Sequence, residues 1–290
     1  MACGILCVTA CAPRSGTVMA NAGPVSAPLL PVEANLSEGC SAPRPAPAGP
    51  LQVNGASRDL LVREPPAGRR GPHDLVIAFH GRTNDSAQVR RYFDLDEALP
   101  DALIVYPSGV RAGSGFTWSA AGDAPGQLRD FELVDAIIDR FGATRCIDLD
   151  RVFVVGHSLG ASFANSVACH LADRIRAVAS VAGGIQGATC RGGSAALLIH
   201  HPADQLVPVA EGLRVRDAFL SANSLNAASP RPLQDPALAA LNCSAFGEAS
   251  AHPVVWCPHD DATAPGGRYY PHTWPDLAPA AIAAFFAGLD

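Results

Sequence analysis

The chain has 290 residues and a formal charge of −6, with acidic and basic residues interspersed, so no basic stripe suits it to nucleic acid. Its apolar content of 48% is enough for one substantial core. No apolar run reaches the roughly 18 residues of a membrane-spanning helix.

The first eleven residues are small and apolar and end Val8-Thr9-Ala10-Cys11, which resembles a bacterial lipoprotein cleavage box with Cys11 as the lipid-anchored residue. No Lys or Arg precedes this stretch, so the anchor at Cys11 competes with a chance match. From residue 12 to about residue 50 the chain is rich in Pro, Ala, Gly and Ser and is expected to be a flexible tether, with the catalytic domain at residues 51–290. Setting aside Cys3, Cys7 and Cys11 leaves Cys40, Cys146, Cys169, Cys190, Cys243 and Cys257, an even set with no CxxC pair. That pattern points to disulfides and an oxidising compartment, outside the cell or in a periplasm, and away from a zinc ribbon.

Beyond residue 51, strand and helix patterns alternate. Leu75-Val76-Ile77-Ala78-Phe79 and Leu103-Ile104-Val105-Tyr106 are apolar runs of buried-strand length. Leu128, Phe131, Val134, Ile138 and Phe141 recur at helical spacing and predict an amphipathic helix ending near Gly142. Val152-Phe153-Val154-Val155 predicts a third strand, followed by a Gly-rich turn and a helix of small residues. Residues 177–182, 196–200 and 254–256 predict further strands, and residues 276–289 a closing helix. The Pro- and Ala-rich stretch 223–252 is expected to be an irregular excursion over one end of the sheet. The order implies an α/β fold with a mostly parallel sheet covered on both faces.

Gly156-His157-Ser158-Leu159-Gly160 matches the nucleophile elbow G-x-S-x-G, and it sits where that motif must sit, between an apolar strand and a helix. The turn would lift the Ser158 hydroxyl clear of the sheet, with the glycines allowing close chain passage. A serine nucleophile needs a base and an orienting acid, which in this arrangement follow it in the order acid, then histidine. Among the late histidines, His272 precedes the closing helix and is the expected base. His259 is the runner-up, and His252 should lie at the wrong end of the sheet. Asp204, just past the strand 196–200, is the expected acid, ahead of Asp217, Asp235, Asp260 and Asp261. The oxyanion would be met by the Leu159 amide and by either Arg82 or Thr83, in the loop after Phe79. His80, His157, Trp118 and Trp274 are candidate substrate contacts. The late histidines fit no metal-ligand spacing, so no metal is expected. Cys169 lies eleven residues past Ser158, roughly 16 Å down its helix at ~1.5 Å per residue. That places it near Cys146 and predicts a Cys146–Cys169 disulfide. Cys243–Cys257 and Cys40–Cys190 follow by elimination.

Several segments, in order, resemble the secreted feruloyl esterases and polyhydroxybutyrate depolymerase-like esterases. They are Gly39-Cys40, Ala78-Phe79-His80-Gly81, Tyr106-Pro107-Ser108-Gly109, Phe116-Thr117-Trp118, Cys146-Ile147-Asp148, Asp150-Arg151-Val152-Phe153, Ala168-Cys169, Ala203-Asp204 with Val207-Pro208, Val254-Val255-Trp256-Cys257 and His272-Thr273-Trp274-Pro275. The resemblance implies the α/β-hydrolase fold, a Ser158–Asp204–His272 triad and no cofactor. The substrate it implies is an ester linked to polysaccharide (hydroxycinnamate or acetate) or a short polyester. Two departures touch the pocket: His272 follows Pro271 where the family usually has glycine, with residues 260–271 looking inserted, and the acid loop reads His200-His201-Pro202-Ala203-Asp204 where a His-Gly start is more usual. A monomer is expected. A peptidase on the same fold and a non-catalytic glycan-binding surface protein are the competing classes.

Overall fold

The structure, a computed structural model, describes residues 34–45, 49–113, 115–119, 129–185, 190, 192–264 and 266–289, together with residues 1, 2 and 4. Cys11 and the other lipoprotein-like residues, and Leu128 of the amphipathic pattern, lie outside the described residues.

The apolar runs form the centre of a nine-stranded sheet. In chain order its strands are β1 (Leu60–Arg63), β2 (His73–Phe79), β3 (Leu103–Pro107), β4 (Ile147–His157), β5 (Ala177–Val181), β6 (Ala195–Ile199), β7 (Arg231–Pro232), β8 (Ser244–Phe246) and β9 (Val254–Cys257). Across the sheet they run β7-β8-β9-β6-β5-β4-β2-β3-β1. The six strands from β9 to β3 are parallel, and β1, β7 and β8 add antiparallel edges. Parallel strands covered on both faces bury every side chain, which is why they read as unbroken apolar runs. The stretch 223–252 supplies β7 and β8 with a short helix between them. It therefore extends the sheet sideways, where an irregular excursion over one end was expected.

Helices cover both faces: α1 (Ser86–Phe93), α2 (Arg129–Thr144), α3 (Leu159–His170), α4 (Val209–Ala222), α5 (Pro236–Ala240) and α6 (Ala278–Ala287). Asp85 and Gln88 form a reciprocal capping box that starts α1 just past the β2 loop. In α3 every residue from Gly160 to Cys169 is buried. Its small side chains let it lie close between the sheet and α2, where Phe163 packs on Phe79, Trp118 and Phe131. On the opposite face α6 buries Ala278, Ala281, Ile282, Phe285 and Phe286, a helical stripe that stacks Phe286 on Phe153 of β4.

Two expectations need correction. The compact unit begins at Ala34, within the stretch read as tether. Ser37 and Arg44 hydrogen-bond the backbone at Ile147 and Ala143, and Cys40 is joined to Cys146. The second correction concerns the disulfides, which pair Cys40–Cys146, Cys169–Cys190 and Cys243–Cys257. All six expected cysteines are used and Cys243–Cys257 is as expected, but Cys146–Cys169 and Cys40–Cys190 are not formed. The reason is the length of β4, which starts at Ile147, five residues before the run Val152–Val155. From Ser158 back to Cys146 the strand descends ~40 Å at ~3.3 Å per residue, whereas α3 descends only ~16 Å to Cys169. The two sulfurs are left far apart, and each finds a nearer partner.

Cys40–Cys146 spans 106 residues, so it restrains the unfolded chain more than the other two. Replacing both cysteines by serine should lower stability by about 2–5 kcal/mol, read from urea unfolding. A loss under about 1 kcal/mol would show that the strap 34–45 is held by its hydrogen bonds alone.

Candidate active site

β4 ends at His157 and α3 begins at Leu159, so Ser158 alone makes the turn. It does so at φ 57° and ψ −122°, a conformation that residues with a Cβ rarely adopt. The crossing chains leave no alternative. A Cβ on Gly156 would stand 2.3 Å from the Gly160 carbonyl oxygen, and one on Gly160 would stand 2.1 Å from that of Phe79. The second glycine thus admits the backbone of β2, the strand that leads into the expected oxyanion loop.

Three distant segments meet at this end of the sheet. His272 Nε2 lies 2.8 Å from Ser158 Oγ, and His272 Nδ1 lies 2.6 Å from Asp204 Oδ2. Asp204 sits in the loop after β6 and is 4% exposed; its other oxygen accepts the amides of Leu206 and Val207 at 2.9 and 3.1 Å. Burial acts to raise the Asp204 pKa, but the hydrogen bond and charge of His272, aided by those two amides, hold it below the usual carboxylate value. His200 closes the same loop by donating from Nε2 to the Val207 carbonyl at 2.8 Å. The histidine at the opposite end of β9, His252, has its carbonyl tied to Asn223, as its position before the strand implied.

The loop after β2 stands beside the serine: a Cβ on Gly81 would lie 3.5 Å from Ser158 Cβ. Several bonds fix it before any substrate arrives. Asn84 N donates to Gly81 O (3.2 Å) and Phe116 N to Arg82 O (3.0 Å). Trp118 Nε1 donates to His80 O at 2.9 Å. Arg82 and Thr83 form the turn inside this frame, and Leu159 is the first residue of α3. Backbone amides fixed in this way are what an oxyanion needs.

The candidate substrate contacts fall elsewhere. The His80 ring is fully buried, donates from Nδ1 to Gly81 O and accepts Gly109 N at Nε2, so it braces the loop. Trp118 stacks on Phe163, and Trp274 stacks on Phe93 at 3.9 Å, both buried. These rings pack the core and offer no platform. His157 is also buried, and it faces His272 and Tyr92. His259, the runner-up base, is buried against His201. Tyr92 and Tyr270 escaped the sequence reading. Tyr270 stands only two residues before the base, a proximity that offered a signal, and its ring lies perpendicular to that of His272 at 6.0 Å. Among the described residues no group of His, Cys, Asp and Glu is arranged to hold a metal ion.

Several of these histidines make the fold acid-sensitive. Burial, then the nearby charge of His272, depresses His157 from 6.5 to about 3, and burial, then His201, depresses His259 to about 4. Burial also lowers His80, His200 and His252. Below pH 6.5 the unfolded chain therefore binds protons that the fold refuses, so stability is complete above that pH and falls as pH drops. His157 and His259 each contribute a slope approaching about 1.4 kcal/mol per pH unit until the folded pKa is reached. His259→Phe should flatten the fall between pH 6 and pH 4 by about one proton's worth, read from urea midpoints. An unchanged slope would contradict the burial argument.

No family model matches the chain. It is 27% identical over 233 residues to feruloyl esterase D of Neurospora crassa, covering 74% of this chain and 77% of that protein. It is 29% identical over 202 residues to the probable feruloyl esterase C of Aspergillus terreus, covering 66% of this chain and 71% of that one. Among solved structures, the Bacillus cereus carboxylesterase superposes with TM-score 0.53 at 12% identity, covering 80% of this chain and 95% of that chain. The acetyl xylan esterase from Aspergillus awamori gives TM-score 0.54 at 15% identity, covering 71% and 89%. The chain is an esterase of the α/β-hydrolase fold, related to the feruloyl esterases. No helix among the described residues of this esterase is long and apolar enough to cross a membrane.

Proposed function

We propose that this esterase is exported and hydrolyses feruloyl (hydroxycinnamoyl) esters of plant cell-wall polysaccharide through an acyl-enzyme on Ser158. The observation that carries the reading is the unbroken chain of contacts from Ser158 Oγ through both nitrogens of His272 to Asp204, at 2.8 and 2.6 Å. His272 takes the Ser158 proton as Oγ attacks the ester carbonyl. Asp204 holds the ring so that Nε2 faces the serine, and it stabilises the imidazolium that forms. The amides of Leu159 and of Arg82 or Thr83 receive the negative charge on the carbonyl oxygen, each donor contributing about 3–4 kcal/mol to the barrier reduction. His272 then passes the proton to the departing alcohol, water attacks the acyl-enzyme, and the acid is released.

The relatives named feruloyl esterase support the acyl group. Three disulfides support an oxidising destination. Tyr270 supports an aromatic substrate, since its half-buried ring stands beside His272, although Arg268 takes one of its faces.

The test sets methyl ferulate, a short-chain nitrophenyl ester and a hydroxybutyrate oligomer side by side. Fastest turnover of the ferulate supports the reading. Preference for the short ester or the oligomer replaces the acyl group by acetate or hydroxybutyrate. A folded, oxidised protein inert on all three moves a peptidase or a glycan-binding protein ahead.

A further inference from the structure

His157, the second residue of the elbow, takes no part in the acyl-transfer steps, yet it is buried between the two segments that carry the nucleophile and the base. Its Nε2 lies 3.2 Å from the backbone carbonyl oxygen of His272, and its Nδ1 lies 3.2 Å from the Tyr92 hydroxyl. A carbonyl can only accept, so Nε2 carries the proton. In the neutral ring Nδ1 is then a lone pair, and Tyr92 donates to it. The chain of donors therefore has one direction: Tyr92 O–H to Nδ1, and Nε2–H to the carbonyl of His272.

We propose that Tyr92 and His157 are positioning residues that clamp the backbone of His272 at a fixed distance from Ser158. This rests on the triad reading above. Because His157, the last residue of β4, directly precedes Ser158, the clamp sets the height of the base from the nucleophile's own backbone. The base needs such a tie, because residues 270–276 form no helix or strand. Tyr270 N bonds to Ala262 O and Asp276 N to Asp261 Oδ2, both within the inserted excursion and not on the sheet. The ties to the sheet end come from Asp204, from His157, and from the Trp274 ring stacked on Phe93 of α1, the residue after Tyr92.

The direction of the donors has an electrostatic use as well. His272 becomes positive during acyl transfer, with its ring centre 5.2 Å from that of His157. A second cation there would oppose that charge. Burial, then the charge of His272, keeps His157 neutral, and the Tyr92 hydroxyl on the Nδ1 lone pair holds it in the one tautomer that can donate to the carbonyl.

The test uses the full chain with three variants: Tyr92→Phe, His157→Leu and His157→Gln. Two readouts are needed: steady-state kinetics on a short-chain nitrophenyl ester, and the rate at which an aryl phosphonate labels Ser158. His157→Leu should lower both kcat and the labelling rate by about 10–100-fold with KM changed less than about 2-fold, the scale of a base misplaced by about an ångström. Tyr92→Phe should lower both in the same direction by less. His157→Gln, whose amide N–H reaches as Nε2 does, should recover most of the loss. Unchanged kcat in all variants, a loss confined to KM, or a glutamine no better than leucine would overturn the clamp. If His157→Leu does not fold, Tyr92→Phe, which lacks a single oxygen, decides by itself. If the wild type labels at Ser158 but turns over no ester, the esterase reading fails, and the labelling rates still judge the clamp.

Discussion

Ser158→Ala should lower kcat for ester hydrolysis by about 10⁴- to 10⁶-fold, while KM stays within a few-fold of wild type. The split follows from what Oγ does. In the proposed mechanism it is the atom that bonds to the acyl carbon, so its removal takes away a contact made only along the reaction path, and the pocket that binds the ester is left standing. The loss should stop short of the uncatalysed rate, because the amides of Leu159 and the Arg82–Thr83 turn still meet the oxyanion of an attacking water. The variant should also fold at least as well as wild type, since alanine at φ 57° carries the same backbone strain and leaves no buried hydroxyl behind. A variant keeping more than about a hundredth of wild-type kcat would place the nucleophile elsewhere.

The second large effect is on stability and arises behind the loop that follows β2. Asp130, at the start of α2, accepts from Arg58 Nη1 at 2.5 Å, and it takes the Ser119 amide and hydroxyl on its other oxygen at 2.6 and 2.9 Å. Arg58 also donates to Ser108 O at 2.9 Å, and the two side chains are 4% and 0% exposed. Removing one member strands the other charge away from water, which costs about 3–5 kcal/mol. Asp130→Ala should therefore lower the unfolding free energy by that amount, measured in urea. Arg58→Met combined with Asp130→Leu should recover a substantial part, since two apolar side chains leave nothing unpaired. The same pair ties Ser108 and Ser119 to α2, and between them lies the hairpin (Val110–Ala112 with Gly115–Thr117) whose Phe116 amide holds Arg82. Asp130→Ala should consequently lower kcat more than KM in whatever fraction stays folded. A stability loss under about 1 kcal/mol would mean that water reaches the pair.

The meeting of the three proposed triad residues was legible because the topology constrains it. In a parallel sheet the loops past the strands' C-terminal ends converge, so Asp204 after β6 and His272 ahead of α6 had to approach an elbow after β4. The strand centres were legible for the same reason, each being an apolar run buried on both faces. The first half of β4 was not, because Ile147-Asp148-Leu149-Asp150-Arg151 alternates polar and apolar residues near the strap 34–45 and carries no continuous apolar signal. That hidden length misplaced Cys146 relative to Cys169. Trp118 and Trp274 stood as candidate substrate contacts because a sequence does not say which face of an aromatic ring is covered. Phe163 covers Trp118, and Phe93 covers Trp274. The link from Tyr92 to His157 spans 65 residues and joins a helix on one side of the sheet to the elbow. Only the fold brings those two side chains together.

The proposed mechanism requires Ser158 Oγ to be the atom that carries the acyl group. Mixing the enzyme with methyl ferulate at low pH, quenching within the first turnovers and digesting for mass spectrometry examines that atom itself. One feruloyl adduct is expected on the peptide containing Gly156-His157-Ser158-Leu159-Gly160, absent in Ser158→Ala. An adduct on another residue, or ferulate released at the wild-type rate by Ser158→Ala, would contradict that mechanism.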